Sequence, residues 1–113
     1  MGLFAAGEVV LFPFPFSDLS GNKLRPVLLL VSVSRADWIG CQITSNPYSD
    51  PHAVVLTPAS FTQGGLQLLS YARPGKLFTA NESIFVRSLG KLADGMLKDV
   101  RDSVVSLIQP ANP

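Results

Sequence analysis

The chain has one cysteine, one histidine and few charges, and each shortage removes a class of function. A single Cys and a single His cannot supply four zinc ligands or a two-histidine facial triad, so no protein-held metal and no cofactor are expected. A Cys–His nucleophilic pair needs only one of each and stays open on that count. Cys41, however, falls inside an apolar strand pattern, where a free cysteine behaves as a small hydrophobe. No apolar run reaches the roughly 18 residues of a membrane-spanning helix. The N-terminal MGLFAAGEVV lacks the basic flank of a signal peptide and the Ser or Thr of a myristoylation signal. The expectation is a cytoplasmic protein with no membrane attachment. Charged residues make up only 15% and the formal net charge is +1, so there is no chain-wide basic footprint. A polyanionic partner would have to be met by a local patch.

What is present is an apolar, β-rich chain. Apolar residues account for 47% of 113, which fits one globular domain spanning 1–113. GEVVLFPFPF reads as a strand over Gly7–Phe12 that ends at an edge, because Pro13 and Pro15 break it. Ser17–Lys23 is a loop of turn residues. RPVLLLVS (Arg25–Ser32) is a continuous aliphatic strand buried on both faces, and Pro26, lacking an N–H, can only start it. Asp37–Thr44 is a third strand, Ser45–His52 a loop, and Ala53–Leu56 a short fourth strand. Thr57–Gly65 reads as a turn or short helix closed by glycines. Leu68–Ala80 is a fifth strand, broken or bulged at Pro74 and Gly75, and Ser83–Leu92 holds a sixth. From Asp94 to Ile108, Leu97, Val100, Val104 and Leu107 recur at helical spacing. Short strands with one terminal helix make the fold mainly β, a small, strongly bent barrel.

The order of these pieces resembles the MazF/PemK family of bacterial toxin endoribonucleases. GEVVLFPFPFSD, RPVLLLVS, CQITSN, LSYARPGKLFT and VRSLGKL follow one another ahead of the helix. The likeness runs from Gly7 to about Leu107. It implies an SH3-like barrel of the CcdB/PemK type with a C-terminal α-helix, working as a homodimer. It further implies a toxin of a type II toxin–antitoxin system, held inactive by a cognate antitoxin and binding DNA as the toxin–antitoxin complex. The activity implied is metal-independent, sequence-specific cleavage of single-stranded mRNA. The same fold also hosts toxins that bind DNA gyrase and cleave nothing, and a folded but inactive interaction module is a further reading.

RNA cleavage without metal uses the 2′-OH against the adjacent phosphorus and leaves a 2′,3′-cyclic phosphate. The protein must stabilise a phosphorane of extra charge, and fixed donors aimed at that charge are the largest contribution. The planar fork of arginine suits this work. On the residues alone, an arginine at a strand mouth is more often a solvated rim residue. The resemblance assigns Arg25, at the Arg-Pro position, to catalysis. It likewise assigns Thr44, of the Ile-Thr motif, although a strand-end Thr followed by Ser also caps turns. The resemblance also assigns Arg73 to catalysis, as the acid of the Arg-x-Asp that some members carry with the Asp as base, but here Pro74 and Gly75 follow and that carboxylate is missing. Leu24 stands where other members have an acid before Arg-Pro. The general base is therefore open between Asp18 and His52, or is not needed. Lys23, Ser45, Ser70 and Lys76 lie in segments the family uses around its RNA groove. Arg87 and Lys91 could extend the patch but read more simply as a solvated face. Tyr48, Tyr71 or Phe16 could stack on unpaired bases.

Overall fold

The computed structural model describes residues 3–15 and 22–111. Among these residues seven strands form one sheet: β1 (Glu8–Pro15), β2 (Asn22–Ser34), β3 (Asp37–Thr44), β4 (Val54–Leu56), β5 (Phe61–Gly64), β6 (Ser70–Asn81) and β7 (Arg87–Leu92). Their order is β4-β6-β3-β2-β1-β7-β5, and every neighbouring pair is antiparallel. The two outermost strands, β4 and β5, are consecutive in sequence. Only Thr57 and the 3-10 turn Pro58–Ser60 join them, so the sheet must curl until its ends approach. The result is a curled, antiparallel half-barrel with one helix, α1 (Asp94–Ile108). This is the small β-barrel with a terminal helix that the sequence implies.

Two apolar clusters lie on opposite faces of the sheet. Leu28 and Leu30 join Val9, Cys41, Ile43, Leu56, Ala72 and Leu92 on the face that α1 covers with Leu97 and Val100. Val27 and Leu29 join Val10 and Trp38 on the other face, roofed by Phe4, Phe12, Phe14, Phe78 and Phe85. Alternate residues of β2 thus feed different cores, which is why its aliphatic run is continuous. Burial on both faces holds for Val27–Leu30, whereas Val31 and Val33 are exposed. The helix has the expected bounds. Its first turn carries Asp94, a favourable charge at the positive end of the helix dipole, and no side chain caps it.

Three local readings are corrected. β1 continues past Phe12 to Pro15, paired with β2 throughout. The amide of Val86 donates to the Leu11 carbonyl, so Leu11 turns its polar groups toward β7. Pro13 shares that direction and lies beyond the last β1–β7 pair, Leu11 with Arg87. Its missing N–H therefore leaves no bond unmade, and the expected edge is real on that side only. Pro26 is likewise inside β2 and does not begin it. Its nitrogen faces β3, whose pairing with β2 starts only at Val27–Gln42. Phe61–Gly64, read as part of a turn, is a strand held to β7. There Gly64 (φ +59) and Gly90 pass so close that a Cβ on Gly64 would lie 2.1 Å from the Leu89 carbonyl oxygen. β6 keeps its expected bulge. Cys41 pairs with Leu77 but Ile43 with Ala72, so the register slips over the Pro74–Gly75 segment.

Candidate nucleic-acid interface

The open end of the curl carries a groove of about 670 Å³. Lys23, Arg25, Thr44, Ser45 and Ser70 line it, together with Arg87. Five residues proposed from the sequence thus come together from β2, β3, the loop after β3 and β6. Arg87 was read as a solvated face residue, but its pairing opposite Leu11 brings it to the same groove. Three cations and no Asp or Glu stand among the described lining residues. Leu11, Leu24, Leu66, Leu68 and Leu89 form the apolar part of the wall.

Register explains the meeting of Arg25 and Thr44. Val27 pairs with Gln42, so Arg25 and Thr44, each two residues further toward the same end, share that face of the sheet. Thr44 in turn pairs with Tyr71. Arg25, Thr44 and Tyr71 therefore form a row across β2, β3 and β6. Arg25 is half-buried and opposite Phe12 in β1, which holds its backbone in a paired strand. Among the described residues it has no acidic partner, so its charge is available to a ligand. The Thr44 hydroxyl donates to the Asn46 carbonyl (3.0 Å) and accepts from the Asn46 amide (3.1 Å). It caps the turn after β3, as strand-end threonines do, and would have to rotate to donate to a phosphate. Ser45 is exposed, while the buried Ser70 hydroxyl donates to the Leu68 carbonyl at 2.9 Å.

Arg73 and Lys76 do not line this groove. The Arg73 Nε donates to Asp50 Oδ2 at 3.0 Å, and both side chains are largely buried. Asp50 also accepts from the His52 amide at 2.9 Å. That backbone bond, and then the Arg73 hydrogen bond, hold its carboxyl below the ordinary aspartate range. The Arg73 guanidinium carbon lies 5.6 Å from the centre of the Tyr48 ring. Lys76 is exposed beyond Gly75, which faces Leu107 of α1. His52 is exposed in the loop before β4, and its carbonyl accepts from Ser103 of α1. Cys41 is buried, donates to the Arg73 carbonyl, and is pushed up to about 12 by burial. A thiol in that state is not a nucleophile at neutral pH, which removes the Cys–His pair. Asp18 and Phe16 lie outside the described residues.

No protein-family model matches the chain. No curated protein sequence matches it either. Solved structures do. MazF in a MazE–MazF crystal structure from Deinococcus radiodurans aligns with TM-score 0.74 at 19% identity, over 98% of this chain and 100% of that one. An endoribonuclease in complex with its cognate antitoxin, from a Mycobacterial species, aligns with TM-score 0.71 at 14% identity, over the whole of both chains. The Mycobacterium tuberculosis toxin MazF-mt6 aligns with TM-score 0.66 at 16% identity, over 91% of this chain and 99% of that one. The chain has the fold of the MazF toxins.

Proposed function

We propose that this protein is the toxin of a type II toxin–antitoxin system and cleaves single-stranded mRNA at the groove holding Arg25. The reading rests chiefly on one observation: a nearly neutral chain gathers Lys23, Arg25 and Arg87, with no described acid, around the Thr44 and Ser45 hydroxyls. A groove of that charge suits phosphates, and the MazF fold supports the choice of RNA. The 2′-oxygen attacks the neighbouring phosphorus as its proton passes to water, the P–O5′ bond breaks, the 5′-oxygen takes a proton from water, and a 2′,3′-cyclic phosphate and a 5′-OH result. Arg25 donates to the non-bridging oxygens of the phosphorane, and a rotated Thr44 hydroxyl adds a second donor. Neither step uses a metal ion. The described lining residues include no Asp, Glu or His, so the acceleration asked of them is electrostatic.

The working form is a homodimer in the cytoplasm, and a cognate antitoxin with an acidic segment occupies the same groove. Arg73 then has a structural tie to Asp50 in place of the acid–base partner that other members carry. The lack of a base among the described lining residues favours a second reading, a non-catalytic interaction module of the same fold. Incubating the purified chain and its Arg25→Ala variant with single-stranded RNA separates the two. Cleavage by the wild type, strongly reduced in the variant, supports the nuclease. No cleavage by either, with antitoxin still bound, supports the module.

A further inference from the structure

Tyr48, Arg73 and Asp50 form a preassembled group beside the groove that the phosphate chemistry does not use. Tyr48 is 67% exposed, unusual for an aromatic side chain with no role at the surface. Its backbone, with that of Ser49, is held in the left-handed region (φ 53 and 60). Such a conformation is uncommon for residues with a Cβ and persists only where neighbours fix it. Here they do. Asn46 Oδ1 accepts from the Tyr48 amide at 2.9 Å, and the Asp50 amide donates to the Pro47 carbonyl at 2.9 Å. Asn46 is itself tied to Thr44. Under one face of the Tyr48 ring lies the Arg73 guanidinium, and Asp50 fixes that guanidinium in turn. The ring is thus backed by a cation on one side and exposed elsewhere.

The position relative to the groove follows from the strand alternation. Ser70, Ala72 and Pro74 are buried, whereas Tyr71 and Arg73 point to the other face, which Thr44 and Arg25 share. Tyr48 is four residues beyond Thr44, so their Cα atoms are at most about 14 Å apart. Tyr48 does not line the groove itself, so the nucleotide it would meet is one next to the phosphate held at Arg25 and Thr44. Arg73, neutralised by Asp50, adds little to phosphate attraction but makes the platform rigid and polarised.

Resting on the RNA-cleavage reading above, we infer that Tyr48, backed by Arg73 and Asp50, is a stacking subsite for an unpaired nucleobase flanking the scissile phosphate. Aromatic stacking on a base is sequence-tolerant but favours large π-faces, so the subsite biases the cleavage motif at one position. Arg73 and Asp50 are positioning residues in this scheme.

The test measures steady-state cleavage of short single-stranded RNAs, varied one position at a time, by the wild type and Tyr48→Gly, Tyr48→Ala and Tyr48→Phe. The glycine variant keeps the left-handed backbone without strain, so its fold is secure. Expected are a KM raised about 5- to 150-fold for the Gly and Ala variants, kcat little changed, and loss of preference at a single position flanking the cut. Tyr48→Phe retains the wild-type profile. An abasic nucleotide at that position lowers the wild type to the level of Tyr48→Gly and leaves the variant unaffected. Should Tyr48→Gly keep the wild-type KM and base preference, the subsite is wrong while the nuclease reading stands. A loss spread evenly over all positions and insensitive to the abasic substitution also overturns it. If the wild type neither binds nor cleaves single-stranded RNA, the functional reading fails and the subsite goes with it.

Discussion

Replacing Arg25 with alanine tests the chemistry most directly. The side chain lies in the groove wall, half-buried, with no acidic partner among the described residues. Its guanidinium therefore costs the fold little when removed, and stability should change by no more than about 0.5 kcal/mol. The transition state is different. A fixed donor facing a developing oxyanion contributes roughly 3–4 kcal/mol, so kcat should fall about 10²–10³-fold. Arg25→Lys restores a charge without the planar fork and should recover only part of that loss. Arg73→Ala provides the internal control. Its guanidinium is tied to Asp50 and stands outside the groove lining, so its effect on kcat should be far smaller. Single-turnover cleavage of a labelled RNA, with thermal melting alongside, measures both quantities. Wild-type kcat in Arg25→Ala, or an equal loss of kcat in Arg73→Ala, would refute the assignment.

Cleavage should persist in EDTA and leave a 2′,3′-cyclic phosphate, detected by mass spectrometry of the products; activity lost on chelation and restored by magnesium contradicts the 2′-OH mechanism. Asp50 should show its lowered pKa as stability. The Asp50–Arg73 tie contributes above the ordinary aspartate range and is lost as pH falls through the lower folded value. Asp50→Asn should therefore melt lower than wild type at pH 7, by about 1 kcal/mol or less, and the gap should begin to narrow below about pH 4 and close only below the lowered folded value. RNA affinity should fall with salt at a log–log slope of about −2 per protomer if Lys23, Arg25 and Arg87 each neutralise one phosphate, and Arg87→Ala should reduce that slope by about 0.7.

How much of this was readable in advance depended on whether the determining contacts were local. The helix was legible to the residue, because Leu97, Val100, Val104 and Leu107 repeat along one face whatever they pack against. β5 was not legible: Phe61–Gly64 carries turn-like residues and becomes a strand only because Gly64 and Gly90 let two backbones approach. Pro13 and Pro26 misled for a related reason. Each sits on a stretch of strand whose neighbour on one side has already ended, and a strand's neighbours are not written in its own sequence. In the site, Arg25, Thr44 and Ser45 were reached through the order of motifs, since an arginine at a strand mouth is ambiguous alone. Asp50 was missed as the partner of Arg73 because the two are 23 positions apart and meet only through the fold of the β3–β4 loop. Arg87 looked like an exposed cation, and exposed it is; only the β1–β7 register shows what it is exposed to.

A net charge of +1 therefore says little about the partner, because the charges are not distributed evenly in effect. Arg73 is cancelled by Asp50, and Lys98 by Asp102 one helical turn away. Arg101 spends its guanidinium on the Leu30 carbonyl, tying α1 to β2. What remains uncommitted and gathered is the groove trio of Lys23, Arg25 and Arg87. Field within a concave, partly apolar wall is less screened than at a flat surface, so three charges there act on a polyanion more strongly than their share of the total suggests. Under the proposed function, the same arithmetic predicts that an acidic peptide competes with RNA: both need the uncommitted cations, and the chain keeps no second described cluster of them to offer. On that proposal, occupancy of the single groove is enough to regulate the protein, and no conformational switch in the barrel is required.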